Sequence, residues 1–184
     1  SGDQFGNYTS LKKYDYKLLY NWLKTLSELN YKSKFTPSIA TYFYSSVPDQ
    51  SRVAWIVKFL EEYAEKDIDK NWWWMFQAVT LSKMFVKNDK IALRLAYKLS
   101  KTKNPNAPYF TKQMPAIIHS KMGNYCRSFL IMRDLRDKYN EYDGETDPDI
   151  ISDLFFMNIF VKEQLEKLKE SNVNPKNCNT KSHL

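Results

Sequence analysis

Residues 71–100, NWWWMFQAVTLSKMFVKNDKIALRLAYKLS, decide the fold class, because residues 107–136, APYFTKQMPAIIHSKMGNYCRSFLIMRDLR, repeat their pattern 36 positions later. In both stretches apolar residues recur at spacings of three and four, and an asparagine separates two helical segments. The aligned pairs are Trp73 with Tyr109, Trp74 with Phe110, Gln77 with Gln113, Thr80 with Ala116, Asn88 with Asn124, Ala92 with Ser128, Leu95 with Ile131, Ala96 with Met132 and Leu99 with Leu135. The repeat predicts two helical hairpins, at about 70–103 and 107–140.

The remainder of the chain also reads as helices. Thr36-Pro37 predicts the start of a short second helix. Asp49 precedes a third helix, with Val53, Ile56, Leu60 and Tyr63 as its apolar stripe, and Asp69 precedes a fourth at about 70–86. Shifted by 36 residues, the second and third helices join the repeat more weakly. The first helix carries Leu11, Tyr14, Leu18, Leu19, Trp22, Leu23 and Leu26 at helical spacing. A long last helix is predicted from Asp147-Pro148 to about Ser171.

Composition supports an all-α, soluble domain. Hydrophobic residues make up 43% of 184, whereas only 4 glycines and 7 prolines are available for the turns of a many-stranded sheet. No apolar run is long enough to span a bilayer. We predict a flexible start at residues 1–8, a single helical-repeat domain at 9–171, and a polar, flexible tail at 172–184.

Charge and cysteine content narrow the function classes. The net charge is 28 − 21 = +7, but basic and acidic residues are interleaved, as in EEYAEKDIDK at 61–70. Such mixing favours an ordinary solvated surface over one that binds phosphates. Glu61 and Glu62 are interpreted as members of ion pairs on a helix surface. Cys126 and Cys178 are too few to staple a fold and have no metal-site spacing.

The hairpins resemble the tetratricopeptide repeat family of α-solenoids over about residues 37–140. Repeats of that family have an early aromatic residue, a small mid-helix residue, Gly or Asn at the turn, and small residues on the second helix. The matching residues are Trp73-Trp74, Thr80, Asn88, Ala92 and Ala96 in one hairpin, and Phe110, Ala116, Gly123-Asn124, Tyr125 and Ser128 in the next. The spacing of 36 departs from the family's usual period of about 34 residues. The first and last helices have no counterpart in the repeat.

The resemblance implies a right-handed stack of antiparallel hairpins with one concave face, flanked by extra terminal helices. It implies that the first helix of each hairpin lines that face. The partner-binding residues expected there are Trp74, Gln77, Leu81, Phe110, Gln113 and Ile117. Peptide-carboxylate-binding members have Lys and Asn in the places of Gln77 and Gln113, so their specificity does not transfer.

Two further sequence features concern possible binding and metal-site residues. Trp72, Trp73 and Trp74 are consecutive, so on a helix they cannot all face one core, and we expect at least one exposed ring. His119 has no ligand-type residue at metal spacing on its helix. No catalytic sequence motif occurs. We therefore predict no enzyme activity, no metal and no cofactor.

The leading functional prediction is a scaffold or adaptor that binds a protein or peptide on its concave face. The alternative is a nucleic-acid binder in which Lys, Arg, Tyr and Trp contact phosphates and bases. Homo-oligomerisation through exposed aromatic residues or the last helix stays open. The sequence assigns no compartment, and the chain is compatible with being the soluble part of a longer, anchored protein.

Overall fold

The computed structural model describes residues 13–47, 49–140 and 148–178, and throughout these ranges the regular secondary structure is helical. The α-helices are α1 (Tyr16–Leu29), α2 (Phe35–Tyr42), α3 (Gln50–Glu65), α4 (Ile68–Met84), α5 (Asp89–Leu99), α6 (Phe110–Lys121), α7 (Tyr125–Asn140) and α8 (Pro148–Glu170). The predicted all-α class is confirmed. The predicted flexible start, residue Leu11, residue Asp147 and residues 179–184 lie outside the described ranges.

The chain divides into two compact units, residues 1–95 and 96–184. The division falls within α5, so the predicted hairpin at 70–103 spans the boundary. The stacking of hairpins into a tetratricopeptide-like superhelix remains a prediction. None of the helices within the described ranges has the length and apolar character needed to cross a membrane.

Polar side chains start the helices much as the sequence predicted. Asp49 caps α3 by accepting hydrogen bonds from the backbone N–H groups of Ser51 and Arg52. Asn88 accepts from the N–H of Ile91 at 3.0 Å and opens α5. The predicted cap of α4 at Asp69 is wrong by two residues. Asp67 performs that role, because its carboxylate accepts from the N–H of Lys70.

In the first unit, α3 packs against α1, α2 and α4. Its predicted apolar stripe is buried as expected, through Val53, Ile56, Leu60 and Tyr63. These side chains follow each other at three or four residues, so they occupy one face of the helix. Helix α3 is therefore the central element of this unit.

The interpretation of Glu61 as a member of an ion pair on the helix surface is wrong, because its side chain is buried. Glu61 is only 9% exposed, and its carboxylate accepts two hydrogen bonds from the guanidinium of Arg94. Glu62 instead accepts from the hydroxyl of Tyr20 at 2.7 Å and pairs with Lys24 at 3.4 Å. A buried carboxylate needs such a partner to offset the loss of hydration, so the Glu61–Arg94 pair fixes α5 to α3 within the first unit.

In the second unit, α7 packs against both α6 and α8. The turn between α6 and α7 uses Gly123 at φ 77°, a left-handed conformation that glycine adopts without strain. The core cluster joins residues of all three helices, among them Ala116, Met132 and Met157. The sequence predicted this turn at Gly123-Asn124.

A disulfide joins the two cysteines of the described chain, Cys126 at the start of α7 and Cys178 beyond the end of α8. Their sequence separation is 52 residues, and both side chains pack against the core cluster of the second unit. This bond corrects the expectation that two cysteines are too few to staple the fold, because it joins the segment after α8 to the start of α7. The bond restrains residues 172–178, which belong to the segment interpreted as a polar tail.

We expect removal of this disulfide to destabilise the second unit. In the loop-entropy model, a crosslink across about 50 residues contributes about 4 kcal/mol by restricting the unfolded chain. Urea unfolding of the oxidised protein, the reduced protein and the Cys126→Ser/Cys178→Ser variant measures this contribution. Equal unfolding midpoints for all three would contradict a stabilising crosslink.

His119 lies at the C-terminal end of α6 and is 7% exposed. Its Nε2 is 2.9 Å from the hydroxyl of Tyr97, and its Nδ1 is 3.5 Å from Nδ2 of Asn124. Burial, with a smaller effect from the positive charge of Arg127, lowers the pKa of His119 from 6.5 to about 4. The imidazole is therefore neutral in the folded protein at neutral pH.

This pKa predicts a specific loss of stability in weak acid. Between pH 6.5 and 4 the unfolded chain binds a proton at His119 that the folded chain does not, so the free energy of unfolding falls as pH falls. From pH 7 to 4.5 the wild-type protein should lose roughly 2 kcal/mol more than His119→Gln. Denaturant unfolding of both proteins at the two pH values provides the measurement, and parallel losses would exclude a neutral buried His119.

Candidate protein-docking surface

The six residues predicted to bind a partner are distributed over both units and differ in exposure. Trp74, Gln77 and Leu81 belong to the first unit, and Phe110, Gln113 and Ile117 belong to the second. The side chains of Trp74, Leu81 and Gln113 are buried, whereas Gln77, Phe110 and Ile117 are half-buried. Three of the six are thus core residues of their own units in this conformation.

The three consecutive tryptophans face different directions, as their helical spacing requires. Trp74 is buried, Trp72 is half-buried and Trp73 is 38% exposed. The ring of Trp73 packs edge-on against Trp72 at 5.8 Å between centroids, and it lies 5.5 Å from the ring of Phe76. The expected exposed ring is therefore Trp73, and it is supported on two sides by other aromatic rings.

Helix α1 exposes four large apolar side chains in the first unit. On an ideal helix, residues Tyr16 to Leu29 place apolar side chains over about 200° of the circumference. One part of this arc, with Tyr16, Tyr20 and Leu23, is buried within the unit. The other part is exposed at positions separated by four, four and three residues, and these are Leu18, Trp22, Leu26 and Leu29.

Two buried phenols fix the rotation of α1. The hydroxyl of Tyr16 donates to the backbone oxygen of Tyr44 at 3.1 Å, and the hydroxyl of Tyr20 donates to the carboxylate of Glu62. Burial raises the pKa of both phenols, so both remain protonated donors. Rotating α1 to bury Trp22 would break both hydrogen bonds.

Helix α2 extends the exposed apolar area. A cavity of about 250 Å³ lies between α1 and α2. Its lining is mostly apolar and consists of Leu19, Trp22, Leu23, Leu26, Phe35, Thr36, Ile39 and Tyr44. Phe35 is also largely exposed. We call the exposed side chains of Leu18, Trp22, Leu26, Leu29 and Phe35, together with this cavity, the α1–α2 surface.

The surroundings of the α1–α2 surface are basic. Residues 13–44 contain five lysines and two acidic residues, a local balance of 5 − 2 = +3. The five lysines are Lys13, Lys17, Lys24, Lys32 and Lys34. Lys24 pairs with Glu62, and the ammonium of Lys32 lies 6.0 Å from the ring centroid of Tyr31. The segment that forms the surface is thus net positive, although Lys17 and Lys24 lie on the side of α1 away from Trp22.

The α1–α2 surface is not among the predicted binding residues, although a signal was present. Leu18, Leu19, Trp22, Leu23 and Leu26 lie at helical spacing in the sequence. The added width from Tyr16 and Tyr20 shows that the apolar arc exceeds what a single packing face requires. The angular width of the apolar arc of α1, and not only its periodicity, therefore indicates the exposed surface.

Comparison with known proteins adds no relative: no protein-family model matches the chain, and neither a curated protein nor a solved structure matches it. The geometry of the described residues must therefore carry any functional argument.

The two sides of α1 should differ in their effect on folding. We expect Leu23→Ala to lower the free energy of unfolding by about 2–4 kcal/mol, because it empties a buried position. Trp22→Ala should cost less than about 1 kcal/mol, because that side chain is 60% exposed. Chemical denaturation of both variants tests this, and a larger loss for Trp22→Ala would show that its ring has a structural role.

Proposed function

We propose that this chain is a protein-binding helical module that holds an amphipathic helix of its partner on the α1–α2 surface. The observation that carries the proposal is the exposed apolar side of α1, which lies opposite the side packed in the unit's core. Large contiguous apolar exposure of this kind marks interaction surfaces in monomeric proteins. The function proposed is binding without a catalytic step.

The spacing on α1 favours a helical partner. Leu18, Trp22, Leu26 and Leu29 form a straight ridge along about three turns, which matches the apolar ridge of another helix. The cavity between α1 and α2 supplies an adjacent recess. Since an apolar cavity of about 150 Å³ accepts benzene, one of about 250 Å³ has room for an aromatic side chain. This combination of ridge and recess suits helix-in-groove recognition.

The charge of the surroundings narrows the partner further. With a net charge of +3, the segment that forms the α1–α2 surface favours a partner helix of net negative charge. Three of the five exposed side chains of the surface, Leu18, Leu26 and Leu29, are aliphatic, and such a ridge suits the apolar face of a protein helix better than the stacked bases of a nucleic acid. Trp22 lies in the centre of the ridge and is the expected energetic anchor.

The proposal keeps the class of function predicted from the sequence and relocates its surface. The predicted concave face depends on Trp74, Leu81 and Gln113, whose side chains are buried. The α1–α2 surface instead offers side chains that a partner can contact without rearrangement of the first unit. The tetratricopeptide-like concave face stays a prediction.

Selection from a displayed library of helical peptides tests the proposal. Selected peptides should carry apolar residues at i, i+3 or i+4, and i+7, and should have a net negative charge. Trp22→Ala should weaken their binding at least about tenfold. The matched control is Trp73→Ala, which removes the other exposed tryptophan of the first unit and should leave affinity unchanged. Isothermal titration calorimetry measures the dissociation constants.

Two further arms separate other ligands of the same surface. Single-stranded oligonucleotides test a nucleic-acid function, and vesicles containing anionic lipid test a membrane-surface function. Binding of either one that requires Trp22, in the absence of peptide binding, would replace the proposal. Selected peptides that tolerate Trp22→Ala and Leu26→Ala would also reject it.

A further inference from the structure

A second recess lies in the second unit, well removed in sequence from the α1–α2 surface. Its volume is about 570 Å³, within the range of small-molecule sites. The loop before α6, the end of α7 and the first turns of α8 form its walls, through Pro105, Pro108, Tyr109, Tyr139, Asp149 and Asp153. It is thus built from three chain segments of one unit.

Aromatic rings form one wall. Tyr109 and Tyr139 stack with 4.1 Å between ring centroids and an angle of 32° between planes. The hydroxyl of Tyr109 donates to the backbone oxygen of Leu135 at 3.4 Å, and that of Tyr139 donates to Oδ2 of Asp153 at 3.3 Å. Both rings are therefore held in place, and Phe110 adds a third ring to the lining.

Two carboxylates of α8 also line the recess. Asp149 and Asp153 are one turn apart on α8, so they lie on the same side of the helix. Burial raises the pKa of Asp153, the hydrogen bond from the Tyr139 hydroxyl partly offsets this rise, and the negative charge of Asp149 adds a smaller increase. The two carboxylates therefore repel each other in a partly desolvated site.

No basic side chain belongs to the described lining of this recess. Residues 148–161 of α8 contain no lysine or arginine, although the whole chain has a net charge of +7. The described lining of the recess is thus negatively charged in a basic protein.

We propose that this recess binds an organic cation, a guanidinium or alkylammonium group on an apolar stem. The faces of tyrosine rings attract such cations within about 6 Å, and carboxylates accept hydrogen bonds from their N–H groups. The apolar stem would lie against Phe110 and Pro108. A small hydrated metal ion would make little use of the rings. The chemistry fits an arginine or lysine side chain of a peptide, or a free alkyl cation of the same kind.

Calorimetric titration with matched probes tests the site. N-acetyl-arginine methylamide should bind, and the corresponding citrulline derivative, which has the same shape without the charge, should bind at least about tenfold more weakly. Butylguanidine distinguishes the source of the cation: equal affinity indicates a free small cation, whereas weaker binding than the arginine derivative indicates a peptide side chain. Both results support the proposed chemistry.

Variants locate the binding. Asp153→Asn and Tyr139→Leu should each weaken the arginine derivative about tenfold or more. Asp134→Asn removes an equal charge from an exposed position that pairs with Arg133, and it should have no effect. Circular dichroism confirms that each variant remains folded. Because this recess and the α1–α2 surface belong to different units, each proposal stands or fails alone.

Three results would overturn the proposal. One is equal binding of the arginine and citrulline derivatives. Another is unchanged affinity in folded Asp153→Asn. The third is a response to magnesium or calcium chloride with no response to any organic cation.

Discussion

The hydrogen bonds of Tyr16 and Tyr20 are the constraint from which the candidate surface follows. A phenol that enters a core needs an acceptor, and these two find one in the backbone oxygen of Tyr44 and the carboxylate of Glu62. They thereby select which side of α1 packs in the first unit. Because the apolar arc of α1 is so wide, half of it is enough to pack against the other helices of the first unit. The other half, centred on Trp22, is left outside.

The parts of the fold that depend on local chemistry could be predicted from the sequence. Asp49 and Asn88 each start a helix through a side chain that bonds to nearby backbone N–H groups. The α3 stripe from Val53 to Tyr63 follows directly from helical spacing. Glu61 could not be placed in this way, because its partner Arg94 is 33 residues away. The sequence alone does not distinguish a buried charged residue on a helix from an exposed one, because its distant partner is not known.

The candidate site could be predicted less well than the helices, because the exposure of a side chain also depends on contacts that are distant in sequence. Aligning two hairpins identifies positions that are equivalent, but equivalent positions can be exposed in one fold and buried in another. Gln113 illustrates this, since an amide in a predicted groove is 2% exposed in the structure. Trp22 illustrates the converse, because it belongs to the same periodic pattern as the buried Leu23 but is 60% exposed. Only the choice of packing face, made by tertiary contacts, separates the two cases.

The disulfide between Cys126 and Cys178 has a further consequence for the integrity of the second unit. Its loop contains all of α8 and the connection that precedes it, residues 141–147. A protease that cuts one peptide bond anywhere between the two cysteines produces two fragments that remain covalently joined. The nicked protein would keep α7 and α8 on one molecule, and only a reducing agent would release the C-terminal fragment. In an oxidising environment, α7 and α8 are thus joined covalently by the disulfide as well as by the peptide chain between them.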